Sequence, residues 1–162
     1  MSSENNVEMQ ERSDDLEGRY LTFFIDDITY GVELLHVLEI IGVQMITKTP
    51  GVPYYIKGII NLRGKIVPVV DVRLKLGQPE KEYDERTCII VVNISDVSVG
   101  LIVDRVSEVV SVNDDMLSPP PESGDGIRCQ ILQSIAKIGN SIVLNIDIEK
   151  MFEGELSGVI IK

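Results

Sequence analysis

The chain repeats itself, and the repeat limits its possible folds more than any other feature. Shifted by 69 positions, Ile25 falls on Ile94, Asp27 on Asp96, Gly31 on Gly100, Val37 on Val106, Glu39 on Glu108 and Val43 on Val112. Shifted by 76, Ile66 falls on Ile142, Val67 on Val143 and Asp71 on Asp147. The extra seven residues fit in a loop rich in Pro and Gly, residues 118–126. Chance matches are easy among β-branched residues, but Gly on Gly and Asp on Asp in one order are not. Each half reads as about five short strands, too few residues to bury a large core alone. Closing each set as a small barrel removes its edges. Strands apolar on both faces then let one face fill a barrel while the other packs on the twin barrel or a partner.

In chain order, residues 20–25 and 28–32 are two strands around an Asp26-Asp27 turn. Residues 33–36 suit one helical turn, and 37–47 read as a long strand broken by Pro50-Gly51. Residues 53–57 suggest a short helical turn stopped by Gly58. Asp71 can cap a short helix over 72–76 that Gly77 ends, and 78–85 form a charged linker. The second half gives strands at 88–93, 97–103, 106–112, 131–138 and 141–146, then an Asp147-capped helix through Phe152. Residues 1–18 have few apolar residues and many charges, the composition of a disordered arm. The resulting division is an arm at 1–18, a double barrel at 19–152 with halves about 19–77 and 86–152, possible intertwining included, and a tail at 153–162.

The hairpin at residues 58–71 anchors the first half. Asn61 and Gly64 suit a type I turn followed by a left-handed bulge residue, which carries Arg63 out at the tip. Residues 66–70 are apolar on both faces, so the strand is expected to be covered on both sides. Pro68 cannot donate to a ladder, which argues for an edge or bulged strand. Arg63 reads either as a solvated turn cation or as an interface anchor, since arginine anchors many binding hot spots. Glu39 and Glu108 each interrupt an apolar run, and for Glu108 the outward face of an alternating strand is the better reading.

Composition removes several function classes. With 26 acidic and 15 basic residues the net charge is -11, which repels phosphate backbones. No Trp and three Phe leave no set of stacking aromatics, so nucleic acid is not an expected partner. Cys88 and Cys129 stand far apart without a Cys or His cluster, which fits two reduced thiols and offers no metal site. His36, the only histidine, lies between Leu35 and Val37 with no Ser or Cys nucleophile pattern nearby. Asp26-Asp27 and Asp114-Asp115 are explained by turn chemistry, and residues 123–126 lack the Gly-Lys-Ser/Thr ending of a phosphate loop. No active site and no cofactor are expected. The polar N-terminus and the lack of a long apolar run give a soluble, cytoplasmic protein without membrane insertion.

Several motifs resemble the bacterial chemotaxis coupling protein CheW family. They are Tyr30-Gly31, Val37-Leu38-Glu39-Ile40, residues 56–64 (Ile-Lys-Gly-Ile-Ile-Asn-Leu-Arg-Gly) and Val69-Val70-Asp71-Val72-Arg73. Residues 99–104 and Asn145-Ile146-Asp147 extend the resemblance, which runs from about Arg19 to Phe152. It implies an all-β fold of two five-stranded SH3-like barrels related by internal duplication, with short helical turns. It also implies a non-enzymatic adaptor that couples chemoreceptors to a histidine kinase. The expected partners are the kinase regulatory domain and the cytoplasmic tips of methyl-accepting chemoreceptors, met at membrane-associated receptor arrays. Val37, Glu39, Arg63, Val106 and Val109 are then the expected receptor-binding residues. The rival reading is a double β-barrel that binds a small ligand or peptide outside chemotaxis, with Arg63 holding a carboxylate.

Overall fold

The computed structural model describes residues 16–120 and 131–152. The first half supplies β1 (Arg19–Ile25), β2 (Ile28–Glu33), β3 (Val37–Gly42), β4 (Ile56–Leu62) and β5 (Lys65–Asp71). The second supplies β6 (Cys88–Ile94), β7 (Val97–Val103), β8 (Arg105–Ser111), the two-residue β9 (Leu117–Ser118), β10 (Leu132–Ile138) and β11 (Ser141–Ile146). Short helical turns follow β5 at Val72–Lys75 and β11 at Ile148–Met151. Each is capped as expected: Asp71 accepts from Leu74 N and Asp147 from Lys150 N.

The halves exchange strands. One sheet runs β8-β1-β2-β11-β10-β9 and the other β3-β6-β7-β5-β4. Each barrel therefore takes strands from both repeats. The twin relationship survives the exchange: β1 pairs β8 as β6 pairs β3, both antiparallel. Likewise β2 pairs β11 as β7 pairs β5, both parallel. The expected all-β pair of barrels is what forms.

Alternation along the doubly apolar strands explains how one chain fills three cores. On β5, Val67 and Val69 enter the interior of the second barrel with Ile60, Ile89, Val91 and Ile102. Val70 points the other way, into a large cluster with Phe23, Tyr30, Ile90 and Leu101 that draws on both sheets. On β6, Ile89 and Val91 face one cluster while Ile90 and Val92 face the other. The first barrel has a smaller interior of Tyr20, Val112, Ala136 and Val143. Fully burying each Val or Ile is worth about 1.5–3 kcal/mol, so a strand buried on both faces contributes roughly twice what an alternating one does.

Four local expectations are corrected. The strand that began at Val37 ends at Gly42, and beyond it Thr47 makes only an isolated antiparallel bridge to Ile59. Residues 53–57 form no helix; one bond joins Ile56 N to Pro53 O, and β4 starts at Ile56. Gly58 does not stop a helix but lies in β4 at a register shift with φ 143, where a Cβ would stand 2.1 Å from Thr47 O. Pro68 is in neither an edge nor a bulged strand: β5 is flanked by β7 and β4, and the β5–β7 ladder begins one residue later at Val69.

The arm up to residue 15, the tail 153–162 and the part of the Pro- and Gly-rich loop from residue 121 lie outside the described residues. Gly18 already belongs to the barrel, since its carbonyl accepts from Val112 N at 2.7 Å. Across the barrels, Arg73 Nη1 donates to Asp26 Oδ1 at 2.6 Å and to Asp104 Oδ2 at 2.7 Å. Burial alone would lower the Arg73 guanidinium, but these two carboxylates outweigh it and hold it above its ordinary value. The β1–β2 turn is thereby tied to the end of β5 and to the single residue between β7 and β8.

Candidate functional site: a barrel edge closed by Arg63 and Glu39

The five-stranded sheet has two edges, β3 and β4, and the site is where they meet. Leu62 pairs with Lys65, so the β4–β5 loop is two residues long. Arg63 (φ 51) and Gly64 (φ 84) are both left-handed, which makes a type I′ turn and corrects the expected type I turn with a bulge. Asn61 Oδ1 accepts from Gly64 N at 2.9 Å and fixes the turn from its flank. A left-handed arginine is unusual backbone, since its Cβ crowds the carbonyl. Here the conformation carries the guanidinium across the open edge to the Glu39 carboxylate on β3.

Arg63 remains 71% exposed and Glu39 29%. The hydrogen bond to Glu39, then its charge, raises the guanidinium above its ordinary value. Water screens such a pair, so it adds little to stability. What it does is hold a cation in one place. Arg63 is therefore a positioned surface group and not a freely solvated one.

A register shift between Val37 and Glu39 divides the strand that carries Glu39. Glu39 and Ile41 are half-buried on the face towards the second barrel's interior, Val37 packs against the shared cluster on the other face, and Leu38 and Ile40 are exposed. Ile66, two residues past Gly64, is 66% exposed. The strands that carry the ion pair and its hairpin thus also bear exposed apolar side chains, Leu38 and Ile40 on β3 and Ile66 on β5, the mixture found at interfaces. Leu38, Ile40 and Ile66 were missed from sequence because each sits in an apolar run that reads as core; the Lys65 beside Ile66 at the hairpin tip was the available signal for that residue.

The remaining expected receptor-binding residues divide between the barrels. Val37 and Val106 are half-buried and both pack against the large shared cluster. Val109 is 44% exposed on β8, close to the 45% of its twin Ile40 on β3. The structure therefore joins Arg63 and Glu39 directly, and sets Val106 and Val109 on the equivalent strand of the other barrel.

Catalytic alternatives find little support. His36 Nε2 lies 3.3 Å from Glu33 Oε2 in the turn between β2 and β3. Cys88 is a free thiol. Among the described residues no group of three or more His, Cys, Asp or Glu is arranged to hold a metal, and no helix is long and apolar enough to cross a membrane. A cleft of about 410 Å³ is lined by Tyr20, Leu35, Val112 and Leu117 with Glu17 and Glu33, and Arg63 is not part of its wall. The rival reading needed Arg63 to hold a carboxylate in such a pocket; Glu39 already occupies that role.

Known proteins share this fold. A family model described as the CheW-like domain matches residues 19–156. The chemotaxis protein CheW of Klebsiella aerogenes is 37% identical over 136 residues, covering 84% of this chain and 82% of the relative. Its namesake in Bacillus subtilis is 32% identical over 139 residues, covering 86% and 89%. Among solved structures, the scaffolding protein TtCheW from Thermoanaerobacter tengcongensis superposes with a TM-score of 0.79 at 33% identity, covering 84% of this chain and 92% of that one. On a family match that spans both barrels, this chain belongs to the CheW-like family.

Proposed function

We propose that the protein is a non-enzymatic adaptor of bacterial chemotaxis that couples chemoreceptors to a histidine kinase at membrane-associated arrays. The relatives named chemotaxis proteins and the scaffolding protein of the same fold support this reading. The observation that carries it is the Arg63–Glu39 edge: a cation at the β4–β5 tip held against β3, on strands that also expose Leu38, Ile40 and Ile66. Such a surface fits a protein partner better than a small molecule, because neither Arg63 nor Glu39 lines any of the described clefts and the two are already paired. Its mechanism is positional. The adaptor fixes the kinase relative to the receptor, so that a small receptor change biases kinase activity.

The test is reconstitution of a ternary complex from this chain, a receptor cytoplasmic fragment and the kinase regulatory domain. The expected result is a complex containing all three, with kinase activity that follows the receptor's state. A chain that binds neither partner but gains thermal stability from a small ligand or peptide would overturn the reading.

A further inference from the structure

The duplication leaves one half of the Arg63–Glu39 device incomplete. In the first copy, Glu39 on β3 faces Arg63 at the β4–β5 tip. In the second copy, Glu108 stands at the place of Glu39 on β8, but the β10–β11 tip has Gly139 at the place of Arg63. Gly139 shares the positive φ of Arg63, 59 against 51, but Asn140 after it does not share the positive φ of Gly64, so the two-residue turn is of a different type. The first turn residue keeps its left-handed φ and the cation is gone. Among the described residues no ion pair reaches Glu108.

The rest of the twin surface is present. Buried Thr22 sets the Glu108 backbone: its Oγ1 donates to Glu108 O at 2.7 Å and accepts from Glu108 N at 3.1 Å. Val109 is as exposed as its twin Ile40, and Ile142, at 60%, matches its twin Ile66. An exposed carboxylate on an anchored backbone, with exposed apolar residues on its own strand and on β11, is thus displayed without its cation.

We propose that Glu108, with Val109 and Ile142, receives a basic side chain flanked by apolar residues from the receptor tip, filling the place that Arg63 fills in the other barrel. The inference rests on the proposed receptor coupling, because Val106 and Val109 of the same strand belong to that face. Charge complementarity selects the occupant: an unpaired carboxylate on a chain of net charge -11 attracts a cation and repels an acidic partner.

The experiment supplies the missing cation in cis. Gly139→Arg puts an arginine at a positive φ close to the one Arg63 adopts, and nothing lies within 4 Å of a Cβ at Gly139. A thermal melt beside the Gly139→Gln control, which carries the same backbone demand, separates turn strain from the effect of the charge. The variant's own Arg then competes for Glu108. Gly139→Gln is the control for side-chain bulk, and Glu108→Gln removes the carboxylate directly. Binding of the receptor fragment and of the kinase regulatory domain is titrated separately at two salt concentrations. Gly139→Arg and Glu108→Gln are expected to weaken receptor binding about fivefold and to flatten its salt dependence, as loss of an interface charge pair does. Gly139→Gln should bind as wild type, and kinase affinity should not change in any variant. Unchanged receptor binding in both charge variants, or a loss that falls on the kinase instead, overturns the proposal while leaving receptor coupling intact. A wild-type chain that does not bind the receptor fragment overturns both.

Discussion

Gly31 faces Asn145 across the parallel β2–β11 ladder with no room for a side chain: a Cβ there would stand 2.4 Å from Asn145 Oδ1. Its twin, Gly100, faces Val69 across the β7–β5 ladder, where a Cβ would stand 2.8 Å from both Val69 Cγ1 and Ile89 Cγ2. These are the two parallel ladders among the four pairings that join strands of different repeats. The paired glycines that reveal the duplication in sequence therefore give the close approach that both parallel junctions need.

Adding one methyl at each should separate the two ladders. Gly100→Ala meets branched methyl groups of Val69 and Ile89, both fully buried and without space to withdraw. Overpacking of that kind costs about 1–3 kcal/mol. Gly31→Ala meets the end of an amide that can rotate, so its loss should be smaller. Urea unfolding of the two variants checks the order, and a Gly100→Ala protein as stable as wild type would contradict it.

Asn145 itself is a weakness in the first barrel. It is fully buried; its Nδ2 donates to Ser134 Oγ at 3.1 Å, and among the described residues its Oδ1 has no hydrogen-bond partner. The twin position holds Val69, which packs against Gly100 without a polar atom. Asn145→Val should therefore stabilise the protein by about 1 kcal/mol, the scale of one unsatisfied buried acceptor relieved. A lower unfolding midpoint would show that the Ser134 bond outweighs that gain.

Much of this was legible in the sequence, for particular reasons. The unbroken apolar run at residues 66–70 announced burial on both faces, which holds for 67–70 but not for Ile66, exposed beside the hairpin tip, and Asp71 and Asp147 announced their caps. Strand exchange could be suspected but not located, because the partners of Val69 and Asn145 lie 31 residues downstream and 114 upstream, at Gly100 and Gly31. Local rules failed where a distant backbone decides. Gly58 looked like a helix stop because Thr47 O, which forces its φ, is not adjacent in sequence. At the site, Arg63 and Glu39 were both singled out, but the contact between them depends on a left-handed Arg63 that the Asn-Leu-Arg-Gly pattern does not require.

The Asp71 carboxyl gives a pH signature. Burial raises it above its ordinary 3.8, against hydrogen bonds from Tyr83 and the Leu74 amide and the charge of Lys57. A carboxyl raised on folding holds its proton more tightly in the native state. The stability this confers is complete below pH 3.8 and is lost as pH rises through the folded value. Asp71→Asn has no such loss, so its stability relative to wild type should improve steadily from acid toward neutral pH. Chemical denaturation across that range tests it; parallel profiles, or a variant that loses ground as pH rises, would refute the assignment.

The strand exchange also predicts how the chain fails when cut. Severing the linker between residues 78 and 85 leaves β1 and β2 without β8 and β11, and β6 and β7 without β3 and β5. Each fragment would expose a large apolar surface. We expect neither to unfold cooperatively alone and the mixture to recover the native circular dichroism spectrum. A fragment that is monomeric and folded by itself would contradict the division into exchanged halves.

The last prediction separates what Arg63 does for the fold from what it does for coupling. Its backbone is left-handed, a conformation that Gly adopts without a Cβ penalty. Arg63→Gly therefore removes the guanidinium while easing the turn, and should melt at or slightly above the wild-type temperature. Arg63→Glu keeps the backbone demand and sets a second carboxylate against Glu39, so it should melt slightly lower. Both should lose receptor coupling, the reversal more severely, because an interface cation is removed in one and replaced by a repelling charge in the other. The double exchange Arg63→Glu with Glu39→Arg restores the pair across β3 and β4 but moves the cation to the other strand. If the pair serves only to close the barrel, the exchange should recover both stability and coupling. If the partner reads the arginine at the hairpin tip, the exchange should recover stability alone. Thermal melts beside ternary-complex assembly decide between these outcomes, and full coupling in Arg63→Gly would remove Arg63 from the receptor face.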